Sequence, residues 1–186
     1  MGRSAESVNS PNEIIRFQAD PSSKASIGIT YAHSAVHRDI IARATKVLSA
    51  GTGITNILIK APGPLQPHLE WSIVSGGEVE VKFYEAPTVT AEGDDMTATR
   101  LFLPSEKTTQ MVAKFGGTVS EKGTLLDEDY NGGAGSGVNV RGGSAVHEDA
   151  EWIPKLETWY LIEINRITSS KLKVALEWYE VTEIKP

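Results

Sequence analysis

Apolar and polar residues alternate with a period of two along most of the chain. Val79, Val81 and Phe83 interleave with Glu78, Glu80 and Lys82, and Leu69, Trp71 and Ile73 interleave with Glu70 and Ser72. Near the end, Leu172, Val174, Leu176 and Trp178 interleave with Lys173, Ala175, Glu177 and Tyr179. Successive side chains of a strand point to opposite faces, so each run has one core face and one wetter face. Such alternation suits antiparallel sheets rather than a parallel sheet buried on both sides. Further strands are expected at Ile27 to Tyr31, Ile40 to Leu48, Ile54 to Lys60, Met96 to Leu103, Thr108 to Phe115 and Thr158 to Ile167. Ala35 to Leu48 is also readable as a helix. Its apolar positions fit neither period well, and the β-branched Ile40, Ile41, Thr45 and Val47 favour strand.

Turn chemistry separates these runs. Ala50-Gly51-Thr52-Gly53, Ser75-Gly76-Gly77, Gly93-Asp94-Asp95, Gly116-Gly117 and Ser169-Ser170 all tolerate tight reversals. The expected architecture is all-β: an antiparallel β-sandwich of jelly-roll type over residues 26–186, preceded by an extended N-terminal arm over residues 1–25. Thr158 to Ile167 and Lys171 to Val181 would close a C-terminal hairpin around Thr168-Ser169-Ser170. Trp159, Tyr160, Trp178 and Tyr179 cannot all face one core, so some belong to a second face available as a subunit interface. In the arm, Ile14, Ile15 and Phe17 form an apolar island suited to a neighbour's edge or groove.

The 186 residues hold no cysteine, and the formal net charge is -6. No thiolate is present as nucleophile or metal ligand, which fits assembly in a reducing cytoplasm. An acidic chain without a Lys/Arg block argues against nucleic acid as a partner. No apolar stretch is long enough for a membrane helix, and the N-terminus lacks a signal-peptide core.

Candidate chemistry is sparse. Gly133, Gly135 and Gly137 have neither P-loop nor dinucleotide spacing. Asp127, Asp129 and Asn131 followed by Gly132 match the opening half of a calcium loop. The second half fails, with Val138 where a bidentate Glu belongs, so a solvated acidic turn is favoured over a non-standard site closed from beyond the loop by Glu148 or Asp149. His33 and His37 lack a third zinc ligand nearby, and His68 and His147 stand singly. No nucleophile elbow is present, and Tyr130 to Ser144 reads as a long Gly-rich loop. Neither catalytic residues nor a cofactor site is expected.

Five segments nevertheless resemble, in order, a family of tailed-bacteriophage structural proteins encoded with the capsid genes. Val79 to Val89, with Phe83-Tyr84-Glu85-Ala86-Pro87-Thr88-Val89, is similar to the family's "v-x-L-Y-E-G-p-T-V". Gly93 falls at its next turn, and Gly123-Thr124-Leu125-Leu126 is similar to "G-T-L-L" before a Gly-rich loop. Glu151-Trp152-Ile153-Pro154-Lys155 with Thr158-Trp159-Tyr160-Leu161-Ile162 resembles "E-W-I-L-K-x-N-T-x-Y-L-I-R". Leu176-Glu177-Trp178-Tyr179-Glu180 matches "L-E-W-Y-E". Where the family often carries N-R-N-R, this chain has Met96 to Leu103.

The resemblance implies a jelly-roll or tumour-necrosis-factor-like domain acting as a capsid decoration (cement) protein. It would be a homotrimer on the outside of an icosahedral head, bound to the major capsid protein and made in the host cytoplasm. Ile14, Ile15 and Phe17 would then touch the capsid, and Trp159, Tyr160, Trp178 and Tyr179 would serve the trimer interface. The alternatives are another virion module (head-fibre base, tail-tip or carbohydrate-binding receptor module) and a bacterial enzyme or carbohydrate-binding sandwich.

Overall fold

The computed structural model describes residues 41–101, 106–131 and 151–181, together with the backbone of three short strands: β1 (Arg16–Ala19), β2 (Ser26–Ile29) and β12 (Ser144–Val146). Every regular element among the described residues is a strand, and every pairing is antiparallel. The all-β expectation holds, and Ile41 to Leu48 is strand rather than helix. Ile14, Ile15 and most of the arm lie outside the described residues. Phe17 lies in β1, which pairs with β2.

Two strands are far longer than the alternation alone predicts. β3 (Ile41–Lys60) runs through Ala50 to Gly53, and β13 (Trp159–Val181) runs through Thr168 to Ser170. The C-terminal hairpin is therefore corrected. Its two halves do not pair with each other, because both pair with β3, from Trp159↔Lys60 to Tyr179↔Ile41. On the other side of β13 lie β4 (Gln66–Ser75) and β5 (Val79–Glu85), which run in the same direction one after the other.

All three courses bend at one level. Twelve residues of straight strand would separate Trp71 from Phe83 by about 40 Å. Their ring centroids are 6.5 Å apart, so the sheet is folded over on itself. Hydroxyls stitch the bend. Ser75 and Ser170 share a hydrogen bond (Oγ···Oγ 3.0 Å), and Glu78 N–H donates to Thr168 Oγ1 at 2.7 Å. The approach is close enough that a Cβ on Gly77 would lie 2.3 Å from Thr168 Oγ1. Thr168 and Ser170, which read as a hairpin turn, thus tie a corner together.

Folding the sheet over makes a sandwich. Layer one is built from β8 (Ala98–Arg100), the first half of β3, the second half of β13, β4 and β12. Layer two is built from β7 (Asp94–Asp95), β9 (Val112–Phe115), the second half of β3, the first half of β13, β5 and β11 (Thr124–Asn131). Between them lie Trp71, Ile73, Val81, Phe83, Ile162, Ile164, Leu172, Leu176 and Trp178, nearly all without exposure. The inward face of β3 changes from even positions (Ala42, Ala44) to odd ones (Ile57, Ile59) across the bend. A one-residue slip turns a strand over, and the register shifts between Arg166 and Leu172 absorb it.

Layer two also buries its outer face. Leu58, Tyr84 and Leu161 are covered by Val89 and Val119 from a separate flap, β6 (Thr88–Ala91) paired with β10 (Thr118–Glu121). Burial on both faces explains why Tyr160 to Ile164 are buried without interruption.

The flap shows an internal two-fold relation. β5–β6–β7 and β9–β10–β11 superpose in sequence at an offset of 30: Thr88-Val89 on Thr118-Val119, and Gly93 on Gly123. Both glycines have φ +82°. A Cβ at Gly93 would meet Phe115 O at 2.3 Å, and one at Gly123 would meet Glu85 O at 2.1 Å. Each unit's last strand pairs with the other unit's first, β7 with β9 and β11 with β5.

Candidate functional site

One corner of layer two gathers polar side chains from three segments. β5 ends with Phe83 facing the core and Glu85 at the rim. β11 shifts register between Leu125 and Asp127, and this bulge on an edge strand places Leu126 beside them. The third segment, Glu151 to Lys155, is tied to β4 by reciprocal backbone hydrogen bonds between Leu69 and Trp152, at 2.8 and 2.9 Å. Trp152 meets the Phe83 ring edge-on, with centroids 5.0 Å apart. These residues surround a hollow of about 120 Å³.

Tyr160, at the start of β13, ties the corner together. Its ring stacks on Phe83 with centroids 5.6 Å apart. Its hydroxyl donates to Glu85 Oε1 at 2.9 Å and accepts from Lys155 N–H at 2.9 Å. Lys155 Nζ reaches the same Glu85 oxygen at 2.9 Å. The lysine and the phenol hold the Glu85 carboxyl below the usual carboxylate range. Burial first, and then the Glu85 charge, push the Tyr160 phenol up to about 12. A general acid or base works best with a pKa near the operating pH, and both groups are moved away from neutrality. The hollow is also well below the roughly 300–1,000 Å³ typical of ligand pockets. What this arrangement does chemically is lock three chain segments together.

A second polar hub closes the other end of β13. Glu180 is buried on the same face as Leu176 and Trp178. Its Oε1 accepts from Thr109 Oγ1, Gln110 N–H and Met111 N–H, each at 2.7 Å, while Oε2 takes Arg100 at 3.1 Å. Trp178 Nε1–H donates to Thr109 Oγ1 at 2.8 Å. A hollow of about 360 Å³ opens beside this hub between Met96, Arg100 and Met111.

The sequence-derived site residues fare differently. Tyr160 and Trp178 are 4% and 1% exposed and belong to the chain's own core, while Trp159 and Tyr179 alternate outward. Trp159 is half-buried against the flap cluster, with Lys60 Nζ 5.9 Å from its ring centroid. Tyr179 stacks on His68 at 4.5 Å, and its hydroxyl shares a 2.9 Å hydrogen bond with His68 Nδ1. The stretch read as a solvated acidic turn, with a calcium loop as the lesser alternative, is strand. Asp127, Asp129 and Asn131 lie on β11, opposite Phe83, Val81 and Val79. Alternate residues of a strand sit about 7 Å apart in a row and do not converge on one cation. Asp127 and Asp129 instead accept the backbone N–H of Glu128 and Tyr130. Among the described residues no group of three His, Asp or Glu is arranged to hold a metal ion. His33, His37, Val138, His147, Glu148 and Asp149 lie outside the described residues, as does most of the Gly-rich loop.

Sequence reasoning missed the Glu85–Lys155–Tyr160 knot and the Glu180 hub. Both were present in the quoted motifs, but only as letters. Comparison with protein-family models, with curated proteins and with solved structures finds no match to this chain.

Proposed function

We propose that this protein is a non-enzymatic structural component of a virus particle. In this reading it is a capsid decoration protein that binds the outside of a tailed-phage head as a homotrimer and stabilises it. The domain would be of the jelly-roll type, the arm at Ile14, Ile15 and Phe17 would touch the major capsid protein, and the virion surface would be its location. The observation that carries the reading is convergence. Phe83 and Glu85, Leu126, and Trp152, Lys155 and Tyr160 come from three segments, each a phage-like motif, and they meet around one hollow. Motifs that match by chance have no reason to lock onto one another. The fifth, Leu176 to Glu180, supplies core residues and the Glu180 hub. Cement proteins gain their effect by mass action, since binding only the assembled lattice stabilises that lattice.

The test is cryo-electron microscopy of the particle, with the purified chain weighed in solution. The expected results are a mass near 60 kDa, three times 20.1 kDa, and density at three-fold or quasi-three-fold points of the head. Density at a head fibre or tail tip would replace this reading with the receptor-binding one. Absence from the particle would end the virion reading altogether.

A further inference from the structure

We infer that Glu70 is a proton-operated latch for the strap Glu151 to Lys155, which docks more tightly on β4 when that carboxylate takes up a proton. The strap carries Trp152 onto Phe83 and Lys155 onto Glu85, so its docking governs the knot. The latch does not depend on the virion reading.

Register places four charged side chains in one row across the outer face of layer one. Glu177 on β13 pairs with Arg43 on β3 and with Glu70 on β4. Leu69 bridges Trp152 in the antiparallel sense, so the next position along sets Glu70 beside Glu151. The row thus reads Arg43, Glu177, Glu70, Glu151. Like charges directly opposite one another in a sheet are destabilising, and Glu70 has a carboxylate on each side.

The neighbouring groups address the flanking carboxylates instead. At the far end of the row, Arg43 Nε donates to Glu177 Oε2 at 2.8 Å. In the next row, His68 Nδ1 lies 3.1 Å from Glu151 Oε2 and 2.9 Å from the Tyr179 hydroxyl. Among the described residues, Glu177 and Tyr179 on β13, Arg43 on β3, His68 on β4 itself and Glu151 on the strap are the titratable and charged groups facing Glu70.

Glu70 is exposed over much of its surface. Partial burial of its carboxyl first, and then the charges of Glu151 and Glu177, nevertheless push its pKa above the usual carboxylate range. The folded chain therefore takes up this proton before the unfolded chain does. Stability is gained as pH falls through the folded pKa towards the ordinary 4.5, and is withheld above it. Glu85 works in the opposite sense. Its carboxyl is held low, so its contribution is kept down to the ordinary value and lost below it. In mildly acidic solution the strap is thus held at both ends, by the relieved row at Glu151 and by Glu85 at Lys155.

Glu70→Gln tests this in the full-length protein, since it removes the charge and keeps the shape. At pH 7.5 the variant should melt about 1–4 °C above wild type. The gap should narrow as pH falls towards 4.5, and shrink in high salt. Hydrogen exchange read by mass spectrometry reports on the strap itself. After correction for the intrinsic effect of pH, the wild-type strap should gain about two- to fivefold in protection between pH 7.5 and pH 4.5. In Glu70→Gln it should be protected equally at both. His68→Gln separates the imidazole from the carboxylate, and the response of the strap should survive it. A response abolished by His68→Gln and untouched by Glu70→Gln puts the sensor on the imidazole and overturns the latch. A wild-type strap that gains no protection in acid overturns it too. So does a Glu70→Gln variant, folded by circular dichroism, that melts with wild type at both pH values.

Discussion

Replacing Glu180 by alanine should cost more stability than removing any exposed charge of this protein. The carboxylate side chain is 3% exposed, and its Arg100 partner is 10% exposed. It takes four donors: one guanidinium, one hydroxyl and two backbone N–H groups. In Glu180→Ala the arginine keeps its charge with little access to water, and two backbone donors lose their acceptor. Breaking a buried pair by deleting one member costs about 3–5 kcal/mol. At roughly 2–4 °C per kcal/mol for a chain of this size, the melting temperature should fall by about 6–20 °C. Glu180→Gln is the informative control. Its carbonyl can still accept from Gln110 and Met111, but its amide then meets the Arg100 guanidinium donor to donor, so a loss of about 1.5–3 kcal/mol is expected. Thermal unfolding followed by circular dichroism, at one protein concentration for all variants, measures both. Tryptophan fluorescence adds a local readout, because Trp178 donates to Thr109 within the same hub. An alanine variant melting within about 2 °C of wild type would refute the argument. It would mean that water reaches Arg100 and the loop amides as readily as Glu180 does.

Two further tests follow. Gly93→Ala and Gly123→Ala place a Cβ against backbone oxygens at 2.3 and 2.1 Å, with φ +82° at both sites. Each should lose roughly 2–5 kcal/mol from left-handed strain plus overpacking, whereas Gly116→Ala, at φ +75° in open space, should lose only about 1–2 kcal/mol. Equal losses at all three sites in urea unfolding would show that the close approach is unimportant. Tyr160→Phe removes the phenol whose pKa is raised to about 12. Between pH 10 and 12 the unfolded chain gives up this proton while the folded chain keeps it, so wild-type stability falls as pH rises through that window. The variant lacks this contribution, and its stability should fall less steeply, by up to about 1.4 kcal/mol per pH unit. Parallel slopes in the two proteins would contradict the assignment.

The strand pattern was largely legible because it depends on local alternation, and Val79 to Phe83 and Leu69 to Ile73 carry it without interruption. The bends were not legible. A turn and a bulged corner both need permissive residues, so Ala50-Gly51-Thr52-Gly53 and Thr168-Ser169-Ser170 read equally well as either. What decides between them is the neighbour: β3 runs alongside β13 from Trp159 to Tyr179, and that pairing joins residues about a hundred or more positions apart. The same limit applies to the knot. Glu85, Lys155 and Tyr160 have no helical or strand spacing that would single them out, and only the fold brings a lysine and a phenol to one carboxylate oxygen. The aromatic alternation near the C-terminus was legible as two faces, but which pair faced inward depended on the parity at which β13 enters the core.

The repeat at an offset of 30 was available in the sequence and lay hidden in its weakness. Thr88-Val89 and Thr118-Val119, with the two glycines, are little to notice among 186 residues. Their meaning is geometric. Val89 and Val119 must both reach down onto Leu58 and Leu161, which are themselves paired across β3 and β13. Each glycine must let its chain return over the end of the other unit's first strand, at Phe115 in one case and Glu85 in the other. Those requirements fix the flap residues and leave the surrounding positions free. That freedom lets the two units diverge where they meet other groups: Glu85 is drawn into the Lys155–Tyr160 knot, while its counterpart Phe115 lies under the Lys46 ammonium, 4.7 Å from the ring centroid. Symmetry in the backbone thus carries asymmetry in the surface.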